Sequence, residues 1–301
     1  MNAFPQPFAE GVVAAGHSHA LVTASYRPDL ERCRLLCETV DRQVTGIGTH
    51  YLLVEHGDVA AFRELEGPNR VVVDERDILP RWLHSMRDPT SLFRRRLWLS
   101  TRTAALRGWH VQQLRRLAIA AHVEADALVF CDSDVVFLKP FDCARFWRGG
   151  RLRLFRRDGA LAAPHLELQR RWSAAAGRAL GLTASSGHDY ISTLIAWRVE
   201  TVRAMTEHIE ALHGRHWIEV FAGTRDMSEC MLYGRFVDEV LDGAGHFVDD
   251  AEFCRVYWDG PALDDAGLRD FIASLGPDQA AIGMQSFVGT DLSRIRRLVG
   301  A

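Results

Sequence analysis

Short apolar segments alternate with helical segments in the first half of the chain, and this alternation constrains the fold more than any other feature. The predicted strands are residues 19–24, 49–54, 70–73 and 127–131. Segment 127–131 (ALVFC) is apolar throughout, which is typical of a parallel strand covered on both faces. Apolar residues at helical spacing predict helices near 30–40, 59–65 and 109–121. This order of elements favours an α/β fold with a mainly parallel sheet flanked by helices.

The second half continues the pattern more loosely. It predicts strands at 151–155, 191–197 and 280–284 and helices at 200–213, 228–240 and 264–275. Residues 81–107 are rich in arginine and tryptophan and show no clear period. No repeat and no linker interrupts the chain, so we predict one domain over residues 1–301. A nucleotide-type half-sheet occupies about 17–145, and an elaboration that shapes a substrate pocket occupies about 146–301.

Composition excludes several classes of protein. With 48% hydrophobic and 25% charged residues, the chain cannot be a disordered, collagen-like or small disulfide-bonded protein. A net charge of −3 disfavours nucleic-acid binding. No stretch reaches the roughly 18 apolar residues of a membrane-spanning helix, and residues 1–16 lack the pattern of a secretory leader. The six cysteines form no CxxC pair, so we expect packed thiols in a reducing, cytoplasmic setting.

Two carboxylates, Asp132 and Asp134, follow the apolar strand 127–131 directly. Ligands of open α/β sheets bind beyond the carboxyl ends of the strands. Carboxylate oxygens at that edge suit a hard cation such as Mg²⁺ or Mn²⁺, which would neutralise a bound diphosphate and make it a better leaving group. The apolar run and the KPFD segment that follow make this DxD more specific than an isolated acidic pair. The alternative is an acidic turn in solvent.

Four segments, in this order, resemble those of GT-A glycosyltransferases, which carry a sugar nucleotide on a divalent metal. They are TASYRPD (23–29), GWHVQQLRRL (108–117), FCDSDVVFLKPFD (130–142) and SECMLYG (228–234). The last resembles a segment of an uncharacterised bacterial branch of these enzymes. The resemblance implies a GT-A fold and transfer of a sugar from a nucleotide diphosphate sugar to an acceptor hydroxyl. It also implies a place in polysaccharide or glycoconjugate synthesis, with a glycan, a lipid-linked sugar or a small molecule as acceptor.

The resemblance also implies a metal site. Asp134 would be the principal ligand of Mn²⁺ or Mg²⁺, and Asp132 would contact the metal, the ribose or the donor sugar. Members of this class commonly add a late histidine as a third ligand. His246 is the last histidine of this chain and is the expected third ligand, with His216 as the alternative. Neither lies in a segment that matches the family pattern.

Residues around the nucleotide follow from the same resemblance. Thr23, Ser25 and Tyr26 would line the base and ribose, although the first two could instead satisfy a turn. Gln113 and Arg116 lie three residues apart, so they share a helix face and would reach the donor. The alternative for Arg116 is a solvated helix face.

The resemblance also implies that Glu229 is the general base, at the start of a helix that faces the acceptor. The competing explanation is a helix N-terminal charge that interacts favourably with the helix dipole. Asp189 is the second candidate base; it lies with His188 in a polar loop before a predicted strand, a common place for substrate contacts. The run Arg94-Arg95-Arg96, with Arg102 and Arg107, could clamp a diphosphate. It could also bind nucleic acid or an acidic polymer, and the alternative is the exposed basic face of a helix.

Three other functions stay open. A phosphatase of the haloacid dehalogenase type also uses DxD, but it needs a downstream lysine, and Lys139 is the only lysine in the chain. A sugar-phosphate nucleotidyltransferase would need a loop rich in glycine and arginine after the first strand, where this chain has none. A non-catalytic nucleotide- or metal-binding protein of the same fold would keep the sheet. The favoured prediction is a metal-dependent glycosyltransferase without a transmembrane segment.

Overall fold

The computed structural model describes residues 16–300, so the expectation that residues 1–16 carry no leader lies almost wholly outside it. The strands are β1 (His19–Ala24), β2 (Val44–Thr45), β3 (Thr49–Val54), β4 (Arg70–Asp74), β5 (His84–Arg87), β6 (Arg96–Leu99), β7 (Leu106–Arg107), β8 (Ala127–Phe130), β9 (Val135–Phe137), β10 (Phe141–Asp142), β11 (Trp147–Arg148), β12 (Arg151–Phe155), β13 (Ile195–Arg198), β14 (His246–Asp249), β15 (Cys254–Tyr257) and β16 (Ala281–Met284). The helices are α1 (Leu30–Gln43), α2 (Val59–Phe62), α3 (Glu75–Ile78), α4 (Gly108–Ala118), α5 (Glu167–Ala179), α6 (Val199–His213), α7 (Trp217–Phe221), α8 (Glu229–Arg235), α9 (Asp265–Ala273) and α10 (Leu292–Val299).

The largest sheet has five strands in the order β4-β3-β1-β8-β13. Strand β1 is parallel to β3 and β8, β3 is parallel to β4, and only β13 is antiparallel to its neighbour. Every residue of β1 and β8 is buried, because strands at the centre of a parallel sheet are covered on both faces. The predicted α/β fold with a mainly parallel sheet is confirmed.

The strand order reverses between β1 and β8. The chain builds β3 and then β4 on one side of β1, and afterwards crosses to place β8 on the other side. Val22 of β1 pairs with Phe130 of β8, and the Cys131 N–H donates to the Val22 carbonyl at 3.1 Å. The carboxyl ends of β1 and β8 therefore lie side by side at a topological switch point, where open α/β sheets bind ligands.

The second half of the chain contributes to the same core. Strand β13 pairs with β8, so that Ile195 lies opposite Phe130. The Trp197 ring lies 4.4 Å from the Phe130 ring and stacks on Tyr233 of α8 at 4.9 Å. Residues on both sides of position 145, the expected end of the nucleotide-type half, therefore pack in one core.

A smaller sheet, β15-β16-β9, contains the strand that follows the acidic segment 131–134. Strand β16 pairs antiparallel with β9 and parallel with β15. Residues 131–134 connect β8 in the large sheet with β9 in the small one, and the Met284 N–H donates to the Asp134 carbonyl at 3.0 Å. This short connection is fastened at both ends.

Two segments differ from the predictions. The strand expected at 191–197 begins at Ile195, because Leu194 adopts a left-handed backbone (φ 60°) that a strand does not accommodate. Residues 81–107 form a three-stranded antiparallel sheet, β5-β6-β7, and not the helix with a basic face that was the ordinary alternative for its arginines. Strand β5 is exposed along its whole length, so no buried period marks it in the sequence.

Two further predictions concern the state of the cysteines and the presence of membrane-spanning helices. All six cysteines are buried and free, as predicted from the absence of a CxxC pair. Within residues 16–300 no helix has the length and apolar character needed to cross a membrane.

Gly234 of α8 packs directly against Tyr190, whose hydroxyl donates to Asp238 at 2.6 Å. A Cβ at residue 234 would lie 2.2 Å from the Tyr190 ring. We expect Gly234→Ala to lower the free energy of unfolding by about 3 kcal/mol, because both the helix and the ring are fixed by the core. Urea unfolding measures this difference. The matched variant Gly67→Ala, where the added carbon meets nothing within 4 Å, should change stability by less than about 0.5 kcal/mol; equal effects would contradict the packing argument.

Candidate functional site

Asp132 and Asp134 lie where the predicted site was expected, immediately beyond the carboxyl end of β8. The Val135 N–H donates to the Asp132 carbonyl at 3.2 Å, which closes a tight turn around Ser133. The side chain of Asp132 keeps 29% of its surface exposed. The two carboxylates therefore project from a fixed turn at the switch point of the sheet.

The surroundings of Asp134 disfavour the negatively charged form of its carboxyl group. Burial, the charge of Asp132 and the charge of Asp29 raise the pKa of Asp134 to about 7, against an opposing effect of Arg32. A pKa raised in this way means that the charged form is disfavoured in the folded protein. A bound cation at Asp134 would remove that penalty.

The Tyr26 side of the site includes residues that sequence reasoning did not find. Burial raises the pKa of the Tyr26 hydroxyl, and the charges of Asp29 and Asp134 act in the same direction. Ser286, in the segment after β16, acts on both Tyr26 and Asp29 and lowers the pKa of each, against the effect of burial. Arg32 donates to the Thr290 carbonyl at 3.2 Å. The last part of the chain thus lies against the carboxylates; Ser286 and Arg32 belong to no pattern that the sequence displays.

Arg116 connects the carboxylate turn to α8. Its Nη1 donates to Glu229 Oε1 at 2.8 Å, and its Nη2 lies 3.8 Å from Asp132 Oδ1. Its guanidinium lies over the Phe130 ring at 4.8 Å. Arg116 is almost fully buried, so the alternative of a solvated helix face is wrong.

Gln113 lies on the same face of α4 as Arg116, as predicted. Its Oε1 accepts a hydrogen bond from the Glu229 N–H at 3.1 Å, next to the cap that Ser228 provides for α8. Its Nε2 is buried and has no hydrogen-bond partner in the described part of the chain. An unpaired buried donor is uncommon and leaves one hydrogen bond available at this position.

Glu229 is buried, and burial raises its pKa above the ordinary value, although the Arg116 charge opposes the shift. Burial also raises the pKa of the neighbouring Cys230 thiol, and the charges of Glu229, Asp132 and Asp189 add to that effect. Both candidate bases therefore lie near Cys230. A raised carboxylate pKa is the property that a general base requires.

Asp189 is more heavily engaged than Glu229. Its Oδ2 accepts from Arg157 at 2.7 Å, and its Oδ1 accepts from the Ile191 N–H at 3.1 Å. Both oxygens thus hold the loop in shape, and the side chain is buried. The neighbouring residues Ser185–Gly187 line a groove with Arg170, which lies beside this loop and not at Asp132 or Asp134.

Thr23 and Ser25 occupy different places from Tyr26. Thr23 is fully buried within β1, and its hydroxyl pairs with His50 Nε2 at 3.0 Å. Its side chain does not reach the edge of the sheet and supports the strand instead of lining a nucleotide. Ser25 is also buried, with its backbone N–H bonded to Leu53, whereas Tyr26 is half exposed.

The structure does not place His246 as a third metal ligand. Its Nε2 pairs with the Tyr233 hydroxyl at 2.7 Å and its Nδ1 with the Ala244 carbonyl at 2.8 Å, so both ring nitrogens are engaged. The alternative, His216, caps α7 by accepting from the Ile218 N–H. Over residues 16–300 no three His, Cys, Asp or Glu side chains group closely enough to hold a metal ion.

Asp132 and Asp134 nevertheless fit a divalent cation that is shared with a ligand. Mg²⁺ is commonly held by one or two protein carboxylates, and water and substrate phosphates fill its other positions. Burial and the charges of Asp132 and Asp29 raise the pKa of Asp134, and a bound cation would oppose this shift. His246 is not needed for such a site.

Comparison with known proteins gives one family. The profile of a group described as "Family of unknown function (DUF6492)" matches residues 13–276. The chain belongs to this family. The matched range contains Tyr26, Arg116, Asp132, Asp134 and Glu229, whereas Ser286 lies beyond it. No curated protein matches the chain.

The pKa of Asp134 makes stability depend on pH. Its native pKa of about 7 exceeds the value of 3.8 for an unperturbed aspartate, so the folded state retains a proton that the unfolded chain has released. Stability therefore falls as pH rises from about 4 to about 7. We expect Asp134→Asn, with EDTA present, to raise the free energy of unfolding at pH 8 by roughly 1–3 kcal/mol and by clearly less at pH 5.

Urea unfolding at the two pH values checks this expectation. Asp126 provides the control, since it lies at the opposite end of β8. Although burial acts the other way, hydrogen bonds from Ser18 lower the pKa of Asp126, so Asp126→Asn should reduce stability at pH 8. A loss of stability in Asp134→Asn at pH 8 would show that the Asp134 charge is already compensated.

Proposed function

We propose that this protein is a metal-dependent glycosyltransferase of GT-A architecture, which moves a sugar from a nucleotide diphosphate sugar to an acceptor hydroxyl. The observation that carries the proposal is the position of Asp132-Ser133-Asp134. The segment begins two residues beyond Phe130, the last residue of β8, and lies beside the end of β1, where a doubly wound sheet binds nucleotides. The acidic motif and the topological switch point of the sheet thus coincide, which supports the proposal.

Asp134, with Asp132, would hold Mn²⁺ or Mg²⁺ in this site. The cation would neutralise charge on the donor diphosphate, which is then a better leaving group. Tyr26 is half exposed beside Asp29 and Asp134 and supplies a surface for the base or ribose. Ser286 lies close enough to Tyr26 and Asp29 to lower the pKa of both, and so would also lie beside the bound donor.

Glu229 is the favoured general base. Glu229 and Asp132 both contact the guanidinium of Arg116, so only this side chain separates Glu229 from the turn that carries the carboxylates. The ion pair with Arg116 and the hydrogen bond from the Glu229 N–H to Gln113 Oε1 fix the position of Glu229. Burial raises the pKa of its carboxyl group. A fixed carboxylate with a raised pKa can accept the proton of an attacking hydroxyl. Asp189 is the less favoured base, because both of its oxygens already accept hydrogen bonds that hold its own loop.

Calorimetric titration with UDP, GDP, CDP and dTDP, each with Mn²⁺ and with EDTA, tests the donor site. We expect one nucleotide to bind, and we expect EDTA or Asp134→Ala to weaken its affinity at least about tenfold. Asp126→Ala, which removes a carboxylate at the other end of β8, should bind as the wild type does. Nucleotide affinity that is indifferent to both EDTA and Asp134→Ala, or no binding at all, would reject the proposal.

Turnover separates the two candidate bases once a donor is known. We expect Glu229→Gln to lower the rate of nucleotide diphosphate release by about 10²–10⁴-fold with nucleotide affinity nearly unchanged. Asp189→Asn should retain most of this activity if it still folds, which its circular dichroism spectrum reports. Near-normal turnover of Glu229→Gln together with an inactive, folded Asp189→Asn would reverse the assignment.

A further inference from the structure

The antiparallel sheet β5-β6-β7 carries an exposed apolar tip that the candidate site does not use. The tip is the connection between β5 and β6, residues 88–95. Leu92 is 76% exposed and Phe93 is 56% exposed. Two adjacent large apolar side chains that are exposed to solvent at the end of a hairpin indicate an interaction site for an apolar surface.

The backbone of the tip holds these side chains outward. Leu92 and Phe93 both adopt left-handed conformations, with φ of 53° and 61°. This region costs free energy for residues other than glycine and persists only where the surroundings impose it. The strain is localised at the two exposed residues, which is the expected pattern when exposure serves a function.

A hydrogen-bonded turn imposes that conformation. The Asp88 carboxylate accepts from the Thr90 N–H at 2.9 Å and from the Thr90 hydroxyl at 2.7 Å. The Phe93 N–H donates to the Asp88 carbonyl at 3.0 Å, and the Arg95 N–H donates to Ser91 Oγ at 2.9 Å. The tip is therefore an ordered loop and presents Leu92 and Phe93 in one arrangement.

The base of the hairpin is anchored to the core. Trp98 of β6 is buried and donates to Glu75 Oε1 at 3.1 Å, and Arg115 of α4 binds the same carboxylate at 2.5 Å. Because successive residues of a strand face opposite sides, Leu99 turns outward where Trp98 turns inward. Leu99 and Met86 are both exposed and extend the apolar surface from the tip along the hairpin.

Positive charge surrounds the apolar tip. Residues 81–107 contain seven arginines and one acidic residue, Asp88, whose carboxylate serves the turn. Arg96 and Arg102 pair with Glu55 and Glu219. No ion pair within residues 16–300 involves Arg87, Arg94 or Arg95, although Arg87 Nη1 donates to the Phe93 carbonyl at 3.1 Å. Three cations therefore lie around two apolar side chains. Apolar tips ringed by basic residues are complementary to anionic lipid surfaces.

We propose that the hairpin 84–99 docks the protein onto a bilayer that contains anionic lipids. Leu92 and Phe93 enter the boundary between headgroups and acyl chains, and Arg87, Arg94 and Arg95 contact lipid phosphates. A protein partner fits less well, because a standard interface takes roughly 20–30 residues from each side, whereas this surface offers four apolar side chains. The proposal does not rest on the proposed function.

Flotation of the full chain with unilamellar vesicles tests the proposal. The vesicles contain phosphatidylcholine alone, or two parts phosphatidylcholine to one part phosphatidylglycerol. We expect binding to the mixed vesicles that weakens as salt is added, and little binding to phosphatidylcholine. The double variant Leu92→Asn and Phe93→Asn should lower the partition coefficient at least about tenfold. Asparagine tolerates the left-handed backbone, so the turn is kept.

A charge variant and two matched controls complete the experiment. The variant Arg94→Glu with Arg95→Glu should lose binding to a similar degree. The controls carry the same chemical changes at exposed positions elsewhere: Leu168→Asn with Leu212→Asn, and Arg178→Glu with Arg269→Glu. They should bind within about twofold of the wild type. Thermal melting confirms folding, and if the asparagine variant is unstable the arginine variant decides.

Four outcomes would overturn the proposal. The first is that the wild type does not bind mixed vesicles at low salt, and the second is that the asparagine variant, still folded, binds them as well as the wild type. The third is that the protein binds RNA or an acidic polypeptide through Arg94 and Arg95 in preference to vesicles. The fourth is that sedimentation shows a dimer that the asparagine variant abolishes, in which case the tip serves self-association.

Discussion

The arrangement of the candidate site depends on the buried cation of Arg116 and on the carboxylates that compensate its charge. A guanidinium removed from water costs several kcal/mol unless charges and hydrogen bonds replace its hydration. Arg116 obtains them from Glu229 at 2.8 Å and Asp132 at 3.8 Å, above the Phe130 ring. Losing one partner would leave an uncompensated buried charge. One ion-pair cluster therefore holds α4, the turn after β8 and the start of α8 in register.

The remaining charge is distributed unevenly across the site. Glu229 has its counter-charge in Arg116, whereas Asp134 faces Asp132 and Asp29 with only Arg32 in opposition. One end of the site is thus close to neutral, and the other lacks a positive charge. Under the proposed function, a cation would bind at Asp134 and Glu229 would accept the proton of the acceptor hydroxyl. The attachment of residues 131–134 to two sheets keeps the carboxylates together despite their repulsion.

The sheet and the position of the carboxylates were predictable from the sequence, because both depend on local patterns. Segment 127–131 is apolar since β8 is buried on both faces, and Asp132 follows it directly. Contacts between distant residues leave no such pattern. Ser286 and Arg32 approach the site only after the chain has folded, and His246 is a buried partner of Tyr233 although its place in the sequence fitted a ligand. Residues 81–107 show no buried period because β5 is exposed.

Helix α4 links the candidate site to the hairpin. Consecutive residues of a helix point about 100° apart, so Arg115 and Arg116 serve different neighbours. Arg115 binds Glu75 beneath Trp98 of the hairpin, and Arg116 binds Glu229 at the site. Strand β7 also runs directly into the first residue of α4. The hairpin and the carboxylate edge are thus held on one rigid element. A hairpin fixed on a bilayer would fix the orientation of that edge to the membrane. If both proposals hold, the acceptor would be presented at a lipid surface.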